Sequence, residues 1–273
     1  MDNSFSKTVW MFLAVAFFLT GCQGKHEVKS VDSLVSEPNI PMTSAPPDYV
    51  VKAIEAVGGM NAWTRTKKIQ LDSVVTFYRP DGSYYLTEQD YVVYPWSNSI
   101  EISAHEPQGT FLWQLSRGKF SVQQKDGQSD VLPVAIGSSH FAEMILSIMT
   151  IPARLYDESA EFSKETTGLK IQGQWYFPIT RISGPTVSTE SGSSAALSDA
   201  VFFQDRDNFL IDMILFDFAG GGNNLAVRGY DYTRIEQGGI LVPARIEIFR
   251  ADSRGNLQQR LVKIDNHTFK RLM

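Results

Sequence analysis

The chain has 273 residues, with 30 acidic side chains against 25 basic ones and a formal net charge of −5. This balance argues against a nucleic-acid surface, which needs clustered Lys and Arg to displace counterions, and a single cysteine excludes intramolecular disulfides and zinc sites built from several thiolates. A 43% hydrophobic share with 17 phenylalanines is enough for one large β-rich domain, whether its interior is filled or open to a ligand.

The first predicted element is an export signal. Lys7 precedes the uncharged run Val9–Leu19, a positive end and a short apolar core before small residues. That run is well short of the ~20 residues a membrane span requires. Leu19-Thr20-Gly21-Cys22 closes it and resembles a bacterial lipobox. The resemblance implies cleavage between Gly21 and Cys22, diacylglycerol on the Cys22 thiol, and fatty acyl chains such as palmitate. At ~0.8 kcal/mol per buried methylene, several chains on one residue hold a protein firmly to a membrane. Gln23 follows the cysteine; by analogy with the enterobacterial sorting rule, its not being aspartate implies the outer membrane, with the domain facing the periplasm. Residues 1–21 are therefore expected to be a signal peptide and 22–47 a tether. Pro38, Pro41, Pro46 and Pro47 keep that tether extended, and it buries too little to offset its chain entropy.

A folded domain is expected over 48–273, as a monomer. Pro47 and Asp48 suit a helix start, Val50, Val51, Ile54 and Val57 recur at helical spacing, and Gly58-Gly59 is a stop. A short turn through Asn61, Ala62 and Trp63 follows. From Lys68 the period becomes two, with a strand over 69–77, a turn at Pro80-Asp81-Gly82 and a returning strand over 84–94. Strands at 99–104, 110–116 and 119–124 continue an antiparallel meander. Phe141, Met144, Ile145 and Ile148 fall at i, i+3, i+4 and i+7, predicting an amphipathic helix over 138–149 that covers the sheet. Ser138 or Ser139 is expected to cap it, with Pro152 past its end. Strands resume at 168–172, 174–182, 200–204, 210–218, 225–236, 240–250 and 257–267. A polar loop at 183–199 and a turn through Gly220–Asn224 separate them.

Recognisable catalytic equipment is missing from the sequence, and neither a metal nor another cofactor is expected. His140 and Glu143 lie one helical turn apart, but no second histidine completes a zinc-protease pattern; His140 is expected to face solvent. Asp205-Arg206-Asp207-Asn208 begins like a calcium loop, yet the sixth and twelfth positions are Leu210 and Phe216, where glycine and a bidentate acid are required. A turn between two apolar strands explains it better. No Gly-x-Ser-x-Gly elbow or phosphate-binding loop occurs. The aromatic residues are the remaining signal. Phe111, Trp113 and Leu115 share one strand face, and Phe202 is expected to join the same interior. They form either a packed core or the wall of an apolar pocket.

Ala56-Val57-Gly58-Gly59-Met60-Asn61-Ala62-Trp63, leading into the strand at 69–77, resembles the opening segment of exported proteins with a lipoprotein-localisation (LolA/LolB-like) fold. The end is similar too: Tyr230-Asp231-Tyr232, Ile235, Gly238-Gly239, Leu241, Val242-Pro243 and Ile246-Glu247-Ile248 resemble that family's closing hairpin. The resemblance implies a mainly β (α+β) fold: a curved, incomplete antiparallel β-barrel covered by a few short helices. It also implies an apolar cavity for lipid, acyl chains or a lipoprotein, with Phe111, Trp113, Met144 and Ile148 as cavity or lid residues. A structural or protein-interaction module of the envelope is the alternative, and an envelope hydrolase a distant third.

Overall fold

A computed structural model describes residues 46–106, 109–124, 136–156, 161–183, 200–218, 224–235 and 239–273. The export signal, the Gly21–Cys22 cleavage site and nearly all of the tether lie outside the described residues, as do most of the 183–199 loop and the turn before Asn224.

Helix α1 (Asp48–Ala56) begins directly after Pro47 and buries Val50, Ala53 and Ile54. Its end is the glycine stop expected from sequence. The N–H of Gly59 returns to the Ile54 carbonyl at 2.9 Å, and both glycines have positive φ, 114° at Gly58 and 80° at Gly59. Helix α2 (Met60–Thr64) follows, burying Ala62 and Trp63.

Five strands then run as a meander: β1 (Lys68–Tyr78), β2 (Tyr84–Tyr94), β3 (Ser99–Glu106), β4 (Gly109–Ser116) and β5 (Lys119–Gln124). Strict alternation fixes their register, with Leu71, Ser73, Val75 and Phe77 of β1 on one face and Asp72, Val74 and Thr76 on the other. Helix α3 (Ser138–Met149) occupies the predicted interval. Its start differs from expectation: Gly137 is the N-cap residue and no side chain caps the helix, because both serines already lie within the first helical turn. Pro152 lies past the end of α3, as expected. It opens a further short helix, α4 (Ile151–Leu155), where its missing N–H is harmless.

The second half adds β6 (Glu161–Lys164), β7 (Leu169–Ile171), β8 (Gln174–Ser183), β9 (Val201–Asp205), β10 (Ile211–Phe216), β11 (Asn224–Arg234), β12 (Leu241–Ala251) and β13 (Leu257–Leu272). Strand β6 was not expected; its four residues are too few to declare a period. Strand β13 runs past His267 to Leu272 because its last residues pair with the start of β1, Leu272 opposite Lys68.

Among the described residues, thirteen strands form one antiparallel sheet in the order β5-β4-β3-β2-β1-β13-β12-β11-β10-β9-β8-β6, with β7 also on β8. β5 and β6 lie at opposite ends of that order and are not paired, so the barrel is incomplete. Register shifts at Asp72/Ser73, Ile248/Phe249 and Ile211/Met213 interrupt the ladders, as β-bulges that bend strands do. Helix α3 lies across the concave side, touching β3 and β4 from one half and β10, β11 and β12 from the other.

A second apolar cluster of Ile171, Tyr176, Phe203, Met213, Leu215, Ala226 and Ala251 lies on the other face of the second half. The β12–β13 turn seals it. Gly255 has a φ of 82°, and a Cβ there would meet the Phe203 ring at 2.8 Å.

Candidate functional site

The concave face is built by alternation. On β4 the inward residues are Phe111, Trp113 and Leu115, which register against Ala104, Ile102 and Ile100 of β3. These register in turn against Gln89, Tyr91 and Val93 of β2. Helix α3 lays Phe141, Met144, Ile145 and Ile148 onto this surface, all buried. The four residues singled out from sequence therefore meet in one cluster: Phe111 and Trp113 from the sheet, Met144 and Ile148 from the helix, each no more than 2% exposed. Phe202 of β9 joins them, as expected.

Sequence reasoning passed over Phe141, the ring at the centre of this contact. It meets Trp113 edge-on at 6.1 Å and Phe77 at 5.8 Å. The signal was there, since Phe141 opens the i, i+3, i+4, i+7 stripe. The rim at the start of α3 is aromatic: Phe77 stacks on Tyr85 at 6.2 Å, and Phe216 on Phe218 at 5.0 Å. His140 belongs to this rim and does not simply face solvent. It stacks on Phe218 at 4.1 Å, and burial lowers its pKa, favouring the neutral ring.

The opposite rim is plugged by α1, α2 and α4. Trp63 donates to the Val57 carbonyl at 3.0 Å and Trp96 to the Trp63 carbonyl at 2.8 Å. Arg271 at the end of β13 donates to Thr66 Oγ1 and to the Ala62 carbonyl, both at 2.6 Å. Arg154 of α4 pairs with Glu143 of α3 at 3.0 Å, and Ser147 donates to the same carboxylate at 3.2 Å. Burial raises the Glu143 pKa against the pull of Arg154. His140 and Glu143 thus serve different contacts, and among the described residues no group of three or more His, Cys, Asp or Glu is placed to hold a metal.

A polar cluster lies on the outer face of the second half. Arg228 donates to Tyr176 Oη at 2.7 Å and to Gln172 Oε1 at 3.0 Å. It approaches Asp212 Oδ2 at 3.5 Å, and Tyr176 donates to that oxygen at 3.2 Å. Arg228 lies 56 and 52 positions from Gln172 and Tyr176, so no spacing rule could have joined them. The Asp205 turn is as expected: its Oδ1 accepts from the N–H groups of Asp207 and Asn208 at 2.7 and 3.0 Å. Among the described residues no helix is long and apolar enough to cross a membrane.

Among solved structures, the chain is similar to a LolA superfamily protein from Nitrosomonas europaea, with a TM-score of 0.52 and 11% identity over 83% of this chain and 94% of that one. It also aligns with a putative outer membrane lipoprotein-sorting protein domain from Vibrio parahaemolyticus, with a TM-score of 0.47 and 9% identity over 81% and 93% of the two chains. A DUF1329 family protein from Desulfovibrio piger gives a TM-score of 0.46 and 10% identity over 83% and 94%. No family model and no curated protein sequence matches the chain. The likeness to the Nitrosomonas protein is one of fold: this chain has a LolA-like fold.

Proposed function

We propose that the protein is a lipid-anchored binding protein of the cell envelope, and not an enzyme, whose concave face takes up the acyl chains of a lipid or lipoprotein with α3 as its movable cover. One observation carries this reading: an open, curved sheet presents a mainly apolar face, one rim of which is plugged by α1, α2 and α4 while α3 lies across it and bridges strands from both halves. An apolar chain replacing part of the α3 contact exchanges one apolar neighbour for another, so the cost of uptake is small beside that of opening a packed core to water. The LolA-like fold agrees with it. The lipobox at Leu19–Cys22 and Gln23 supply the rest: acylation of Cys22, and the periplasmic face of the outer membrane. The protein acts as a monomer in this reading.

A soluble form beginning near Asp48 tests the binding claim. Organic extraction of the purified protein should release an apolar lipid, and the delipidated protein should take up a fluorescent acyl probe. A clean delipidated preparation with no affinity for any acyl probe overturns it.

A second reading has a specific observation behind it. Phe111 and Trp113 are 2% and 1% exposed, and Trp113 packs edge-on against Phe141, so the interior can be read as the filled core of an interaction module. In that case Phe111→Ala or Trp113→Ala costs ~3–5 kcal/mol of unfolding free energy, as core truncations do. In the binding reading the loss is smaller and probe affinity changes with it. Denaturant titration of both variants beside probe titration separates the two.

A further inference from the structure

A polar row runs across β4, β2, β1 and β13 on the mainly apolar concave face. Ser73 donates to Asn266 Oδ1 at 2.7 Å, and Asn266 donates to the Pro243 carbonyl at 2.9 Å, so that end of the row is satisfied. Farther along, Tyr91 donates its hydroxyl to Gln89 Oε1 at 2.7 Å. Burial holds the Tyr91 pKa well above its ordinary value, so the hydroxyl keeps its proton and fixes the amide with its NH2 group turned away. Gln89 Nε2 and Trp113 Nε1 are then left buried without a partner among the described residues. Their residues are 0% and 1% exposed. An unmade bond at a buried donor costs ~1–3 kcal/mol, and this face carries that burden at Gln89, at Trp113 and, nearer the rim, at the Tyr85 hydroxyl.

The Gln89 and Trp113 groups are both hydrogen-bond donors on the same face of the sheet, two strands apart. Gln89 registers against Ala104, and Trp113 against Ile102. They therefore flank β3 on either side, and Ala104 is the smallest inward residue of that strand. The inward positions of β1 to β4 carry no charged side chain: Leu71, Ser73, Val75 and Phe77, then Tyr85, Thr87, Gln89, Tyr91 and Val93, then the residues of β3 and β4 named above. A carboxylate held here would lose its hydration without a countercharge, which is far costlier than burying a neutral carbonyl.

We propose that Gln89 and Trp113 form the polar subsite of the apolar face, donating from Nε2 and Nε1 to the carbonyl of a neutral acyl ester or amide. The subsite rests on the binding reading above and sharpens its ligand class: esterified or amide-linked acyl chains in preference to free fatty acids. Tyr91 is a positioning residue, acting only through the amide it orients.

Three pyrene-labelled probes of equal chain length test this at neutral pH: a fatty-acid methyl ester, the free acid and the alkane. The wild-type domain should bind the ester most tightly. Gln89→Leu keeps the volume and removes the donor, and Trp113→Phe keeps an aromatic ring without the N–H. Each should weaken ester binding by about three- to ten-fold, the loss of one hydrogen bond, and leave the alkane unchanged. Gln89→Leu removes one unpaired buried donor but leaves the Tyr91 hydroxyl without its acceptor, so the double variant Gln89→Leu/Tyr91→Phe, which removes both groups, should unfold at the same denaturant concentration as wild type or higher. Equal affinity for ester and alkane, or variants that shift both probes alike, overturns the subsite while leaving the binding face intact. A wild-type protein that binds none of the three overturns the binding reading itself, and the subsite with it.

Discussion

Asp212 on the outer face carries a pH dependence of its own. Burial pushes its carboxyl up to about 6, from an ordinary value near 3.8, against the pull of Arg228 and the hydrogen bond from Tyr176; Asp205 adds to the rise. Its Oδ1 has no partner among the described residues, in keeping with burial outweighing the long contact to Arg228. The folded state therefore binds this proton more tightly than the unfolded chain does. The stabilisation is complete below about pH 4 and is lost as pH rises through about 6. Asp212→Asn mimics the protonated form. Urea denaturation of the two proteins side by side should find wild type losing ~2–3 kcal/mol relative to the variant between pH 4 and pH 7; parallel pH profiles would contradict it. Tyr176, Tyr230, Tyr232, Arg228 and Asp205 are the titrating or charged groups facing this carboxylate. None of this was legible in the sequence. Arg228 meets Tyr176 across 52 positions, and only the pairing of β8 to β11 through the strands between them brings the two together. Gln89 was closer to being readable. It occupies an inward parity position of β2, where a polar residue among apolar ones is a detectable break in the alternation.

At the scale of elements, local rules worked where the chemistry is local. The α3 stripe, the β2 and β5 boundaries and the Gly58-Gly59 stop need only neighbouring residues to specify them. Capping failed because Gly137, which offers no side chain, takes the N-cap position; β6 failed because a four-residue strand is defined by its partner β8. The two glycines make a sharper prediction than the stop itself. A Cβ at Gly59 would meet nothing within 4 Å, but at Gly58 it would lie 2.4 Å from the Gly239 carbonyl oxygen and 2.8 Å from Ile240 Cα. Gly59→Ala should therefore cost only its positive-φ, extended backbone conformation (φ 80°, ψ 157°), ~1–3 kcal/mol. Gly58→Ala adds a collision with backbone that has little room to move, since the Val57 carbonyl accepts from Leu241 at 2.8 Å beside it. It should cost clearly more in thermal or urea unfolding and should loosen the plug formed by α1 and α2. Equal losses at the two sites would show that the α1–β12 contact yields easily.

For the whole molecule, antiparallel class and a helix over the sheet follow from periodicity, whereas closure does not. The pairing of β1 with β13 joins the two ends of the domain, with Lys68 opposite Leu272, and no pattern inside either strand announces it. The same is true of the concave face, because alternation marks Phe111 and Trp113 as inward without saying whether a helix, a lipid or both lie against them. The central claim is that this face holds an acyl chain. Native mass spectrometry of the full-length protein, extracted from membranes in mild detergent and never delipidated, tests it most directly. The account predicts acylation at Cys22 together with one further non-covalent lipid bearing an ester or amide carbonyl, released on gentle activation. A protein ion with no retained lipid, from a preparation that also fails to take up an acyl ester, would contradict it.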